Sequence, residues 1–167
     1  MKNGFTLIEL LVVLVIVAMA SAFVAPRFFA PMGNLQLKTA AKKIAGTMRY
    51  SRSLAVAEKD NRVCVFDFDD HQVSVFKGIL PDADDDADGF SESLPEIQYD
   101  LPEKVFLKKA VAGDAVFENG KFRVVFFANG SASGGDITLT NDRNRSCVIH
   151  VDFITGMVTM PPAEVAG

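Results

Sequence analysis

The chain has no tryptophan, two tyrosines, two histidines and two cysteines among its 167 residues. Each scarcity removes a class of chemistry. Cys64 and Cys147 lie far apart, with no CxxC and no Cys/His spacing, which excludes the usual zinc frameworks. His71 falls in a turn-like stretch and His150 on the polar side of a strand pattern, and neither has a partner recognisable in the sequence. The GxSxG, HExxH, P-loop and dinucleotide fingerprints are all missing. With no convergent catalytic constellation, an enzyme is not expected.

An excess of positive charge is missing too. The formal net charge is -4, so the whole chain carries no nucleic-acid footprint. The acidity belongs to one segment: from Asp82 to Glu103 there are nine acids and no base, and the remaining residues carry a net +5. Within that segment Asp84-x-Asp86-x-Asp88-Gly89 has the opening spacing of a calcium loop, with alternate carboxylates converging on one ion and glycine allowing the turn. Position twelve counted from Asp84 is Pro95, where the closing glutamate should stand. The segment reads either as a calcium site on Asp84, Asp86 and Asp88 with a later acid, or as a solvated acidic loop over 82–103.

What the chain has in abundance is apolar sequence at its start. From Phe5 to Ala25 only Thr6, Glu9 and Ser21 interrupt an apolar run. Twenty-one helical residues span about 31 Å, close to the hydrocarbon thickness of a bilayer. Lys2 and the amino terminus place the start on the cytoplasmic side and the remainder outside it. A disposable signal peptide would share this pattern, with Ala18-Met19-Ala20 or Ala20-Ser21-Ala22 as cleavage sites. Glu9 argues for retention: a carboxylate in an apolar span costs roughly 2.5–3.5 kcal/mol at its centre and less near the interface, a penalty that only a retained helix could offset through a cationic partner.

The string Gly4-Phe5-Thr6-Leu7-Ile8-Glu9-Leu10 resembles the class III signal of type IV pilins and type II secretion pseudopilins. The resemblance implies that a prepilin peptidase cuts after Gly4, that the new Phe5 amine is methylated, and that the apolar helix is kept. Cleavage would leave a cationic amine at Phe5, four residues before Glu9. In an assembled filament the Glu9 carboxylate of one subunit could pair with the Phe5 amine of a neighbour. In a low-dielectric bundle such a pair is sensitive to register, because an unpaired charge there is costly.

Beyond the apolar run, Pro26, Pro31 and Gly33 interrupt the helical pattern, and a kink is expected near Pro26. Helical spacing then resumes through Leu37, Ala41, Ile44, Met48, Ser51 and Ala55. Lys38, Lys42, Lys43, Arg49 and Arg52 lie off that seam and read as a solvated basic face, with lipid headgroups or nucleic acid as alternative contacts. Alternating segments follow: Arg62–Phe68, Gln72–Phe76, Lys104–Lys109, Phe122–Ala128, Asp136–Thr140, Ser146–Ile154 and Met157–Met160. A long N-terminal helix followed by antiparallel strands is an α+β plan. The domains read as a leader over 1–4, an apolar transmembrane helix over 5–25, a kinked amphipathic helix over 26–58 and a β-rich head over 59–167.

Three segments, Phe126-Phe127-Ala128-Asn129-Gly130, Gly135-Asp136-Ile137-Thr138-Leu139, and Ile149-His150-Val151 with Thr155-Gly156-Met157-Val158, resemble the C-terminal block of the H-type minor pseudopilin and FimT-like family. This implies a pilin-like fold and a structural subunit of a type II secretion pseudopilus, near the tip and active in assembly priming. A minor type IV pilin is the alternative. Its implied partners are other pseudopilins or pilins, the prepilin peptidase, the inner-membrane assembly platform and the inner membrane itself. FimT-like proteins can bind DNA, and Lys121, Arg123, Arg143 and Arg145 form a modest basic group, but Asp142-Arg143-Asn144-Arg145 lacks the family's leading glycine. Nucleic acid is therefore not an expected partner. Outside the cytoplasm Cys64 and Cys147, both on core-facing strand sides, could form one disulfide or remain two buried thiols.

Overall fold

The computed structural model describes residues 6–29, 32–78 and 94–161. The chain divides into two units, residues 1–32 and 33–167.

In the first unit α1 runs from Leu7 to Phe29. It starts where it does because Thr6 caps it. The Glu9 N–H donates to the Thr6 carbonyl at 3.1 Å and to Thr6 Oγ1 at 3.3 Å, satisfying a donor that the first turn leaves orphaned. Helix α1 carries Pro26 within its range, and α2 begins at Met32. Every side chain from Leu7 to Ser21 is exposed. These fifteen positions span about 22 Å, short of the ~30 Å hydrocarbon layer. Among the described residues no helix is long and apolar enough to cross a membrane.

The second unit is an α+β domain. Helix α2 (Met32–Glu58) buries Leu37, Ala41, Ile44, Met48, Ser51 and Ala55, the stripe that the sequence spacing anticipates, together with Ala40 and Ala45. Among the described residues nine strands form two antiparallel sheets. The first contains β1 (Arg62–Asp67), β2 (Gln72–Lys77), β3 (Ile97–Asp100) and β6 (Lys121–Phe126) in the order β3-β2-β1-β6. The second contains β4 (Val105–Ala112), β5 (Ala115–Phe117), β7 (Gly135–Asn141), β8 (Ser146–Val151) and β9 (Val158–Thr159) in the order β5-β4-β7-β8-β9. One continuous apolar core takes side chains from α2 and from both sheets, including Ile44, Phe66, Val105, Phe126, Ile137 and Ile149.

Local chemistry explains the turns. Asp67 Oδ1 accepts from the N–H groups of Asp69 (3.0 Å) and Asp70 (3.1 Å), which folds the chain between β1 and β2. Asn141 does the same between β7 and β8: its Oδ1 accepts from Arg143 N–H and Arg145 N–H, while its Nδ2 donates to Asn34 Oδ1 on α2. Two strands escape the sequence pattern. β3 lies inside the acidic 82–103 segment and β5 is three exposed residues, so neither carries a clear alternation signal.

Candidate functional site

The N-terminal motif supplies the first candidate. Thr6 and Glu9 stand at N-cap and N3 of α1, the spacing of a capping box. The backbone half of the box is made, and the Glu9 carboxylate has no hydrogen-bond or ion-pair partner among the described residues. An acid in the first turn is favoured by the helix dipole. It is the only charged side chain between Leu7 and Ser21 on an otherwise apolar exposed surface. A helix apolar on all sides is stable only when covered by lipid or by other helices. Gly4 and Phe5, the cleavage and methylation positions, lie outside the described residues, as do Asp84, Asp86 and Asp88. Among the described residues no cluster of His, Cys, Asp and Glu could hold a metal ion.

The two cysteines are not brought together. Cys64 is on β1 in the first sheet and Cys147 on β8 in the second, and both are free. Cys64 Sγ lies 3.7 Å from Ser51 Oγ on α2. Cys147 lines a groove with Leu37 and Lys38 of the same helix. The thirteen helical steps from Lys38 to Ser51 measure about 20 Å, far beyond the roughly 4.4–6.8 Å Cα separation a disulfide needs. Of the two arrangements the sequence left open, a bridge or two separate thiols, the structure has the second. Burial pushes the Cys64 thiol up to about 12, so it is inert.

The nearest approach to a catalytic pair is His150 Nδ1 and Asp136 Oδ1, 2.6 Å apart on adjacent strands. Both are about half exposed, and no hydroxyl or thiol bonds the other ring nitrogen among the described residues. Water competes there, and no nucleophile is aligned.

Residues 1–25 match the prokaryotic N-terminal methylation motif, and residues 40–152 match the family described as type II transport protein GspH. The chain belongs to the GspH family. This GspH-family chain is 26% identical to type II secretion system protein H of Xanthomonas campestris pv. campestris over 162 residues, covering 96% of this chain and 83% of that relative. Its fold is similar to the minor pseudopilin EpsH from the type II secretion system of Vibrio cholerae (TM-score 0.58, 10% identity, 79% of this chain and 99% of that one). It is also similar to the type IV minor pilin FimU of Pseudomonas aeruginosa (TM-score 0.53, 17% identity, 77% and 90%). The α+β pilin-like class and the H-type minor pseudopilin of type II secretion, both expected from sequence, are therefore met. The family is one of structural subunits, and the pilus-type likeness is one of fold.

In this GspH-family head, part of the basic face of α2 serves a purpose that sequence reasoning missed. Arg49 is not merely solvated: its Nε and Nη2 donate to the Val158 carbonyl at 3.0 and 2.9 Å. Arg52 Nε donates to the Gly130 carbonyl at 3.0 Å. These guanidinium groups hold the β6–β7 connection and β9 against the helix. Arg62 is also absent from the sequence argument. Its side chain is buried, with Nη2 donating to Glu58 Oε2 at 2.6 Å and Nε at 3.0 Å from Glu96 Oε2, the latter a charge contact and not an aligned hydrogen bond. The (i, i+4) spacing of Glu58 and Arg62 was the available signal, but it crosses the helix end and reads there as an ordinary surface pair.

Proposed function

We propose that this GspH-family chain is made as a prepilin, cut between Gly4 and Phe5, methylated at the Phe5 amine, and held in the inner membrane by a single helix with its head in the periplasm. The apolar helix then joins the helices of other pilin-like subunits in a filament, and the head sits at or near the tip, priming assembly. The protein contributes contacts, with no chemistry of its own. The observation carrying this reading is the apolar, exposed surface of α1 from Leu7 to Ser21, whose one charge, Glu9 in the first turn, has no partner among the described residues. Such a surface requires a covering of lipid in the resting subunit and of neighbouring helices in the filament. Glu9 supplies a charge that a neighbour's Phe5 amine can satisfy in one register.

The test is Glu9→Ala in the full chain. The variant is expected to remain in the membrane fraction, since it removes a charge from an apolar helix, but to lose co-purification with the other pseudopilins and to fail to support exoprotein export. Normal assembly of the variant contradicts the role given to the carboxylate. The FimU likeness favours a second reading, a pilus subunit. Deletion that abolishes twitching while export continues would support it.

A further inference from the structure

Helix α2, the β7–β8 turn and the segment after β9 enclose a groove of about 590 Å³ on the head. Lys38, Lys42 and Arg145 line it, all exposed, over a partly apolar wall of Leu37, Cys147 and Met160. No acidic residue among the described residues lines it. None of the three cations has a carboxylate partner among the described residues. In this they differ from Arg49, Arg52, Arg62, Lys77 and Lys121, which are bound to carbonyls or carboxylates. The acid of the adjacent turn, Asp142, lies against the backbone of Gly33.

Along the chain the groove is close to the apolar run: Lys38 follows Ala25, its last residue, by only thirteen positions. Three unpaired cations beside a short apolar wall match the chemistry of a phosphate headgroup and the first carbons of its chains. Juxtamembrane cations are drawn to anionic headgroups.

We infer that in the resting, unassembled subunit this groove docks the head on anionic phospholipid at the membrane surface, through Lys38, Lys42 and Arg145. Assembly into a filament would have to break this contact. The inference rests on the membrane-anchored reading above.

Cys147, half buried in the groove, is a built-in reporter, and fully buried Cys64 stays silent. The full chain is reconstituted into vesicles of phosphatidylcholine alone or with phosphatidylglycerol, and flotation after carbonate extraction checks anchoring independently. The rate of Cys147 modification by a soluble maleimide is then measured. It is expected to be slower on the anionic vesicles. Lys42→Ser with Arg145→Ser should abolish the difference, each lost cation weakening the protection about fivefold. Lys38 is left in place because its charge acts on the Cys147 thiol directly. Glycerol phosphate added to the neutral vesicles should not protect. Equal rates on both vesicles in a chain that floats would overturn the groove assignment and leave the anchoring reading standing. Protection by glycerol phosphate alone would overturn the lipid source. Failure to float would overturn the anchoring reading, and the groove assignment with it.

Discussion

Arg62 shows how a single residue organises the head. Its guanidinium ties the last turn of α2 through Glu58 to the approach to β3 through Glu96. Truncating a buried charge partner generally costs several kcal/mol, so Arg62→Ala is expected to lower stability by about 3 kcal/mol in urea unfolding. Arg62→Met should cost much less, because it keeps the packing volume and both acids can reach water. Equal losses for the two variants would mean that packing and charge had been assigned wrongly. Glu58 adds a pH dependence. The hydrogen bond from Lys77, and then that from Arg62, hold its carboxyl below the ordinary value of 4.5. A carboxyl depressed in the folded state stabilises above its unfolded value, and that contribution is lost as pH falls through the folded value. Head stability should therefore decline below pH 4.5, and Lys77→Ala should flatten the decline in acid titration followed by circular dichroism. The cysteines predict an absence: a reducing agent should leave the unfolding midpoint unchanged, because both thiols are already free.

At the scale of elements, α2 is the part that was most legible in the sequence. The spacing of Leu37, Ala41, Ile44, Met48, Ser51 and Ala55 gave its buried face because helical period and burial are the same geometric fact. The strands β1, β2, β6, β7 and β8 were legible as apolar, β-branched and aromatic segments between turn residues, and in β6 burial follows period two. Their division into two sheets was not, because strand partners are set by tertiary packing and leave no local trace. The role of Arg49 and Arg52 was hidden for a related reason: their acceptors are backbone carbonyls far along the chain, which no side-chain pattern advertises. The junction they serve is tight. At Gly156, where φ is +64°, an added Cβ would collide with the Gly130 carbonyl oxygen and sit 2.9 Å from Arg52 Nε. Gly156→Ala is expected to destabilise the chain by about 2 kcal/mol or more, measured as a fall in Tm, since strain and clash act together. A neutral substitution would mean that the β8–β9 turn can move away from α2 at no cost.

The whole molecule joins two parts with opposite solvent requirements. The second unit buries its apolar residues in one core, whereas the first exposes its own over every described position from Leu7 to Ser21. This contrast was visible in the sequence as the run from Phe5 to Ala25, and the motif around Glu9 gave it a purpose. A secreted globular protein would discard such a segment, while a filament subunit needs it both as an anchor and as its assembly surface. The account therefore stands on whether the apolar helix is retained with a newly made amine at its head. Intact-mass and N-terminal peptide analysis of the protein taken from its native membranes measures this directly. A chain beginning with N-methylated Phe5 is the expected result. A mature chain that starts after Ala20 or Ala22, without the apolar helix, would contradict it.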